Sequence, residues 1–158
     1  DADEVAYNKA LHFLQLKPRT EKEIRLKLTE NEFTQNQIEA VIRRLHEAGL
    51  IADERYAQDW VENRKALHPR SRRLVAMELR RKGITENVIE EALKDSLPDD
   101  ETALQAAMQY SRKLQSDDRQ KFQKRMSAFL SRRGFSYETI IPVVESIWKM
   151  KESEKHQS

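Results

Sequence analysis

The fold can be derived from residues 53–97, and above all from the segment Glu78-Leu79-Arg80-Arg81-Lys82-Gly83-Ile84-Thr85. In this segment a glycine follows the basic end of one amphipathic pattern, and a threonine stands at the start of the next. Gly83 lies where a helix ending at Lys82 requires a left-handed residue, and Thr85 is a typical N-cap. The segment therefore predicts two short helices joined by a tight turn.

The same apolar pattern recurs 51 residues away in both directions. The unit around Gly83 has apolar residues at Val75, Leu79, Ile84 and Ile89. The corresponding residues are Ile24, Leu28, Phe33 and Ile38 upstream, and Met126, Leu130, Phe135 and Ile140 downstream. Self-similarity at a fixed spacing is typical of repeat arrays. The chain is therefore predicted to be all-α, with three-helix repeats at 1–52, 53–98 and 99–150 and a frayed polar tail at 151–158.

Composition favours helices and excludes several classes of protein. Of the 158 residues, 38% are hydrophobic and 35% are charged, and three glycines and four prolines leave little turn chemistry for hairpins. There is no cysteine, so disulfides and thiolate chemistry are excluded. No apolar run reaches the roughly 18 residues of a membrane helix. We expect a cytoplasmic protein with no membrane association.

Capping residues predict where the helices begin. Thr20 and Glu23 form one capping box, Thr34 and Gln37 form a second, and Asp53 is the expected N-cap of the second repeat. The first repeat has Glu32 where the other two repeats have glycine. Because a left-handed Glu is strained by about 1 kcal/mol or more, we expect Asn31 to take that conformation, with the turn shifted by one residue.

Basic residues are concentrated in two segments. Residues 64–82 contain eight Lys or Arg and one acid, and residues 112–133 contain eight against two, whereas residues 86–101 are acidic. Each run alone would fit a solvated helix face. Recurrence at the 51-residue spacing favours recognition of phosphate or carboxylate, for which the arginine fork is suited. We predict one basic surface for a partner or DNA, formed by Arg64, Arg70, Arg72, Arg73, Arg80, Arg81, Lys82, Lys124, Arg125, Arg132 and Arg133.

No pattern indicates catalysis. The four histidines, His12, His46, His68 and His156, are not spaced as metal ligands on one helix face, and there is no glycine-rich phosphate loop. We therefore predict no catalytic residue, no metal site and no cofactor. Most aromatic residues fall on apolar stripes and are expected in the core: Tyr56, Trp60, Phe122, Phe129, Phe135 and Trp148. Tyr137, at a helix start, is the aromatic residue expected to be exposed.

Residues 79–93 also look like a helix-turn-helix. The second helix, 86–92, would be the one to read bases, but it is acidic, and an acidic helix does not enter a major groove. The pattern therefore does not predict a groove-reading module.

Three segments resemble the RecX family of recombination regulators. The segment Gly49-Leu50-Ile51 with Asp53, Tyr56-Ala57, Val61 and Arg64 is similar to the family's Gly-Tyr-Leu-Asp-Asp-x-x-Phe-Ala segment and the Val and Arg that follow it. Residues 78–84 resemble Glu-Leu-x-x-Lys-Gly-Ile, and residues 129–135 resemble Phe-Leu-x-Arg-Arg-Gly-Phe. The chain departs from the family at residues 67–71, which replace a glycine-containing loop, and an N-terminal extension of some longer members is expected to be absent.

The resemblance implies a curved, elongated array of three-helix repeats that binds RecA. It implies that the protein lies in the groove of the RecA–single-stranded DNA filament and restrains recombinase, ATPase and coprotease activities in DNA repair. We accordingly expect a non-enzymatic monomer that modulates RecA, with weak DNA binding of its own. The alternatives are a stand-alone helical DNA-binding protein that uses a basic face and a helical adaptor with only protein partners.

Overall fold

The computed structural model describes residues 1–115 and 118–157, and within them all regular secondary structure is α-helical. The helices are α1 (Ala2–Leu16), α2 (Glu21–Glu30), α3 (Gln35–Glu47), α4 (Asp53–Leu67), α5 (Arg72–Arg81), α6 (Glu86–Leu93), α7 (Asp99–Ser111), α8 (Arg119–Arg132) and α9 (Tyr137–Gln157). Their order is that of three three-helix repeats in tandem, which confirms the predicted fold class.

The chain forms two compact units, and the middle repeat is divided between them. The first unit contains Asp1–Trp60 and Glu78–Lys94, and the second contains Val61–Met77 and the chain from Asp95 onward. Helices α4 and α5 therefore each contribute residues to both units.

The first unit has its core among α1, α2 and α3. Small residues of α1, Ala6 and Ala10, pack with Ile24 and Leu28 of α2 and with the apolar stripe of α3. Alanine on α1 allows the helices to approach closely, and the longer side chains of α2 and α3 fill the space between them. The buried α3 residues are Ile38, Val41, Ile42 and Leu45, as the sequence predicts.

The second unit has its core among α7, α8 and α9. Ala103, Ala106 and Ala107 of α7 lie against Phe122, Met126 and Leu130 of α8 and against Ile140, Val143, Val144, Ile147 and Trp148 of α9. Phe122, Phe135 and Trp148 are buried as expected, whereas Tyr56, Trp60 and Phe129 are only half-buried.

The turn between the second and third helix of each repeat is left-handed. Gly83 and Gly134 both have φ of 87°, as their position after a helix predicts. The prediction for the first repeat is wrong: Glu32 itself has φ of 67°, while Asn31 has φ of −90°. The turn is not shifted because the amides of residues 31–33 all bond to carbonyl oxygens of the preceding helix, as they do in the other repeats.

Both predicted capping boxes of the first repeat are present, at Thr20 and at Thr34. The expectation for Asp53 is wrong, because α4 already begins at this residue and its carboxylate accepts a hydrogen bond from the Glu21 amide. Asp53 therefore caps α2 rather than its own helix. Thr85 occupies the N-cap position of α6 without a hydrogen bond from its side chain.

The expected polar tail is helical for nearly all of its length. Helix α9 continues through Gln157, so residues 151–157 lie in regular structure rather than in a frayed segment. At the start of this segment, the Lys151 ammonium donates to the Leu114 carbonyl oxygen at 2.8 Å and lies 5.1 Å from the ring centre of Phe122. Ser158 lies outside the described residues.

Candidate basic interface

The 51-residue repeat builds two equivalent junctions, one inside each compact unit. In the first junction, the Thr20 hydroxyl donates to the Lys82 carbonyl oxygen at 2.6 Å. In the second junction, the Ser71 amide donates to the Arg133 carbonyl oxygen at 2.9 Å. Thr20 and Ser71 are both fully buried, and each hydroxyl also accepts from the amide three residues later. The buried hydroxyl therefore has a local partner in each junction, and a long-range bond holds each junction to the following repeat.

An aspartate strengthens each junction. The Asp53 carboxylate accepts from the Glu21 amide at 3.1 Å, and the Asp99 carboxylate accepts from the Arg72 amide at 3.0 Å. Glu21 and Arg72 are the first residues of α2 and α5, where a helix has unsatisfied amides and the positive end of its dipole. Burial raises the pKa of Asp53, and the bond from the Glu21 amide opposes that rise. Both aspartates are structural.

The two junctions differ in charge. In the first junction, Lys82 Nζ lies 3.6 Å from the Glu23 carboxylate and 5.7 Å from the ring centre of Trp60. The residue that corresponds to Glu23 in the second junction is Leu74, which has no charge. The basic residue there, Arg133, donates to the Pro69 carbonyl oxygen at 3.0 Å and lies 4.7 Å from the ring centre of Phe129.

Four of the predicted residues lie near one another in the second unit. Burial lowers the pKa of the Arg133 guanidinium, and the positive charges of Arg70, Arg132 and Arg64 lower it further. Like charges depress the pKa of a cation only when they are close to it. We call Arg64, Arg70, Arg132 and Arg133 the arginine cluster. In the second junction an uncharged leucine replaces the glutamate of the first junction, so the residue at this position does not offset the charge of Arg133.

Other predicted residues have structural partners. Arg72 is half-buried, and its guanidinium donates to the Ser96 carbonyl oxygen at 3.0 Å, so it supports the second junction. Arg80 forms a two-point ion pair with Glu86, whose second bond measures 3.2 Å. The carboxylate raises the pKa of Arg80. Lys82 is near Glu23, as described above. The positive charges of Arg80 and Lys82 are thus each matched by a carboxylate.

The remaining predicted residues are exposed. Arg73 and Arg81 lie on α5, and Lys124 and Arg125 lie on α8. Arg125 precedes Arg132 by seven residues, so the two share one face of α8. Arg80, Arg81 and Lys82 belong to the first unit, whereas the arginine cluster belongs to the second. The single basic surface stays a prediction.

The histidines and carboxylates of the described residues form no metal site. All four histidines are exposed, and His46 Nε2 lies 2.7 Å from a Glu21 carboxylate oxygen as part of a surface network. No three His, Asp or Glu side chains of residues 1–115 and 118–157 are grouped so that they could hold a metal ion. A cavity of about 600 Å³ in the first unit is lined mainly by apolar residues such as Leu11, Leu14 and Ile51. Within the described residues, no helix is long and apolar enough to cross a bilayer.

The basic runs of the sequence do not indicate two features of the interface. The first is the exchange of Glu23 for Leu74 at equivalent positions, which removes one negative charge from the second junction. Alignment of the repeats at their charged positions, and not only at their apolar ones, would have shown it. The second is the structural use of Arg72, which depends on a carbonyl oxygen 24 residues away. No local pattern indicates that contact.

Comparison with known families agrees with the three-repeat architecture. Three family models match in order: the first three-helix domain of RecX at residues 6–45, the second at 53–93 and the third at 98–144. This chain belongs to the RecX family. The resemblance drawn from residues 49–64, 78–84 and 129–135 is thereby confirmed.

Similar proteins extend over almost the same length. The regulatory protein RecX of Chlorobium phaeobacteroides (strain BS1) is 34% identical over 149 residues, which cover 93% of this chain and 96% of that protein. The regulatory protein RecX of Mycobacterium sp. (strain JLS) is 32% identical over 148 residues, with 90% and 81% covered. The crystal structure of RecX from Lactobacillus salivarius has a TM-score of 0.74 at 26% identity, with 91% and 95% covered. The Chlorobium and Mycobacterium proteins are named as regulatory proteins, and this chain is a regulator of the RecX family.

Proposed function

We propose that this RecX-family chain binds RecA and the RecA–single-stranded DNA filament and restrains the recombinase, ATPase and coprotease activities of that filament. It acts as a cytoplasmic monomer without catalytic residues or a cofactor. Membership of a family of regulators supports the regulatory part of the proposal. The observation that carries the filament contact is the arginine cluster of the second junction.

The chemistry of the cluster suits an anion on the partner. Guanidinium groups bind phosphate and carboxylate oxygens through paired, charge-assisted hydrogen bonds. The neighbouring positive charges that lower the pKa of Arg133 repel one another in the unbound protein. A bound phosphate or carboxylate would relieve that repulsion, so the cluster is suited to DNA phosphates or an acidic surface of RecA. The exposed residues Arg73, Arg81, Lys124 and Arg125 are further candidate contacts.

Arg132 gives the sharpest test because it is exposed at the end of α8. We expect Arg132→Glu to raise the concentration needed for half-inhibition of ATP hydrolysis by preformed RecA filaments on the order of tenfold. The change replaces a charge-assisted hydrogen bond of about 1.5–3 kcal/mol by repulsion. Lys149→Glu is the matched control, since Lys149 is exposed on α9 outside the proposed interface. Equal inhibition by both variants and the unaltered chain, or no inhibition by the unaltered chain, would contradict the proposal.

Salt dependence separates the filament regulator from the stand-alone DNA-binding protein. If all four cluster arginines contact phosphates of naked single-stranded DNA, the log–log salt slope should be about −3, at roughly −0.7 per phosphate. Binding to the filament should show a shallower slope, because part of that interface is protein–protein contact that releases no counterions. Equal slopes with and without RecA would identify DNA itself as the principal partner.

A further inference from the structure

Helix α9 exposes apolar residues at its start, shortly after Arg132 and Arg133 in the chain. Tyr137 is 74% exposed and Ile141 is 50% exposed, and Pro142 beside them is also exposed. Tyr137 and Ile141 are four residues apart and therefore lie on the same side of the helix. The core of the second unit does not require them, because the opposite side of α9 supplies Ile140, Val143, Val144, Ile147 and Trp148 to it.

The equivalent face in the second repeat is acidic. The residues 51 positions before Tyr137, Ile141 and Pro142 are Glu86, Glu90 and Glu91, and all three are exposed on α6. Three carboxylates in one repeat thus correspond to three apolar side chains in the next. The acidic character that excludes α6 as a DNA-contacting helix is absent from the first turns of α9, apart from Glu138.

The exchange of acidic for apolar residues changes which charges follow the arginines at the end of the preceding helix. In the second repeat, Glu86 forms the ion pair with Arg80. In the third repeat the matching position is Tyr137, which cannot neutralise an arginine. Arg132 and Arg133 precede Tyr137 by only five and four residues, across the turn at Gly134. An exposed aromatic ring and two arginines therefore lie at the two sides of one turn.

We propose that Tyr137, assisted by Ile141, is a stacking platform for bases of single-stranded DNA whose phosphates are bound by Arg132 and Arg133. Proteins that bind single strands combine a positive surface along the backbone with aromatic side chains on which bases stack. Bases in a duplex are already stacked and cannot lie on a surface ring, so the site selects single strands. This inference rests on the proposed function, because the DNA is the single strand of the RecA filament. It adds that the third repeat contacts the bases of that strand.

The test compares a deoxythymidine 20-mer with an abasic oligonucleotide of equal length, which has the same phosphates but no bases. At low salt, we expect Tyr137→Leu to weaken binding to the 20-mer by about fivefold or more, because stacking on an aromatic ring contributes about 1–3 kcal/mol per base. Tyr137→Phe, which keeps the ring, should bind within about twofold of the unaltered chain. Met150→Ala, which removes an exposed apolar side chain elsewhere on α9, should have no effect.

Three results would overturn the inference. The first is equal binding of the two oligonucleotides by the unaltered chain, or no binding of either. The second is a loss on Tyr137→Leu that is the same for the abasic oligonucleotide as for the 20-mer. The third is that Tyr137→Leu binds the 20-mer as well as the unaltered chain does but binds RecA more weakly in the absence of DNA. This result would assign the face to a protein contact.

The ATPase measurement distinguishes this inference from the proposed function. If the unaltered chain inhibits RecA filaments while Tyr137→Leu binds the 20-mer normally, the stacking platform is wrong and the proposed function stands. If Tyr137→Leu selectively loses the 20-mer but the unaltered chain does not affect RecA, the platform stands and the proposed function is wrong.

Discussion

Alanine at Gly134 should destabilise the protein much more than alanine at Gly49, although both glycines are left-handed. Gly49 has φ of 68°, and a Cβ built there meets no atom within 4 Å. Gly134 has φ of 87°, and a Cβ there would lie 2.5 Å from the Ser71 hydroxyl oxygen and 2.7 Å from the Leu74 Cβ. The two positions therefore separate backbone strain from steric conflict at the second junction.

The expected magnitudes follow from these two terms. A left-handed alanine costs about 1–2 kcal/mol at either position. At Gly134 the added methyl group also forces a shift in a packed site, which costs about 1–3 kcal/mol more. Ser71 is fully buried and its amide is bonded to Arg133, so it has little freedom to move away. We expect about 1–2 kcal/mol of destabilisation for Gly49→Ala and about 2–5 kcal/mol for Gly134→Ala.

Urea denaturation followed by far-ultraviolet circular dichroism measures the difference. Gly49→Ala is the control, because it reports the backbone term without the clash. The inhibition of RecA filaments should also weaken for Gly134→Ala, since the second junction holds Arg133 in the arginine cluster. Equal losses of stability for the two variants would show that Gly134 does not pack against Ser71 and Leu74, and the described junction would then be wrong.

Three further outcomes are expected. Glu32→Gly should stabilise the protein by about 1 kcal/mol or less, since it removes left-handed strain at some cost in unfolded-state entropy; a lower urea midpoint would contradict this. Leu79→Ala and Leu130→Ala, at fully buried equivalent positions, should each cost about 2–5 kcal/mol, and thermal melts within a degree or two of the unaltered chain would show that the repeat register is wrong. Burial raises the folded-state pKa of Asp53 above its ordinary value of 3.8, so its contribution favours folding below that value and is lost as the pH rises through the folded pKa. Asp53→Asn keeps an oxygen acceptor for the Glu21 amide. The stability of this variant relative to the unaltered chain should therefore be higher at pH 7 than at pH 3; a pH-independent difference in urea midpoint would contradict this.

The repeat architecture could be predicted from sequence because its signals are local. A left-handed glycine after a helix, a threonine cap and an apolar residue at every third or fourth position each act within one or two turns of chain. Their recurrence at one spacing, at Gly83 and Gly134 for example, was enough to identify three helical units. The exposure of Tyr137 followed in the same way from its position just inside a helix.

The first repeat shows where a local rule fails. The strain of a left-handed Glu32 is about 1–2 kcal/mol, which is small beside the three amide hydrogen bonds of residues 31–33 that the unshifted turn retains. Single-residue preference was therefore overridden by the hydrogen bonds of the whole turn.

The charge balance of the basic residues depended on contacts between residues distant in sequence. Arg72 is held by Ser96, and Lys82 lies near Glu23. Arg133 bonds to a buried serine and a proline carbonyl oxygen, and the charges of three other arginines lower its pKa. Whether a cation is neutralised depends on which side chains lie within a few ångströms of it, because Coulomb interactions fall with distance and are screened by solvent. Helical periodicity places a residue on a face of its own helix, but it does not say what the next repeat puts opposite that face. For this reason the basic runs could be found in the sequence, whereas the proximity of Arg64, Arg70 and Arg132 to Arg133 emerged only from the packing of one repeat on another.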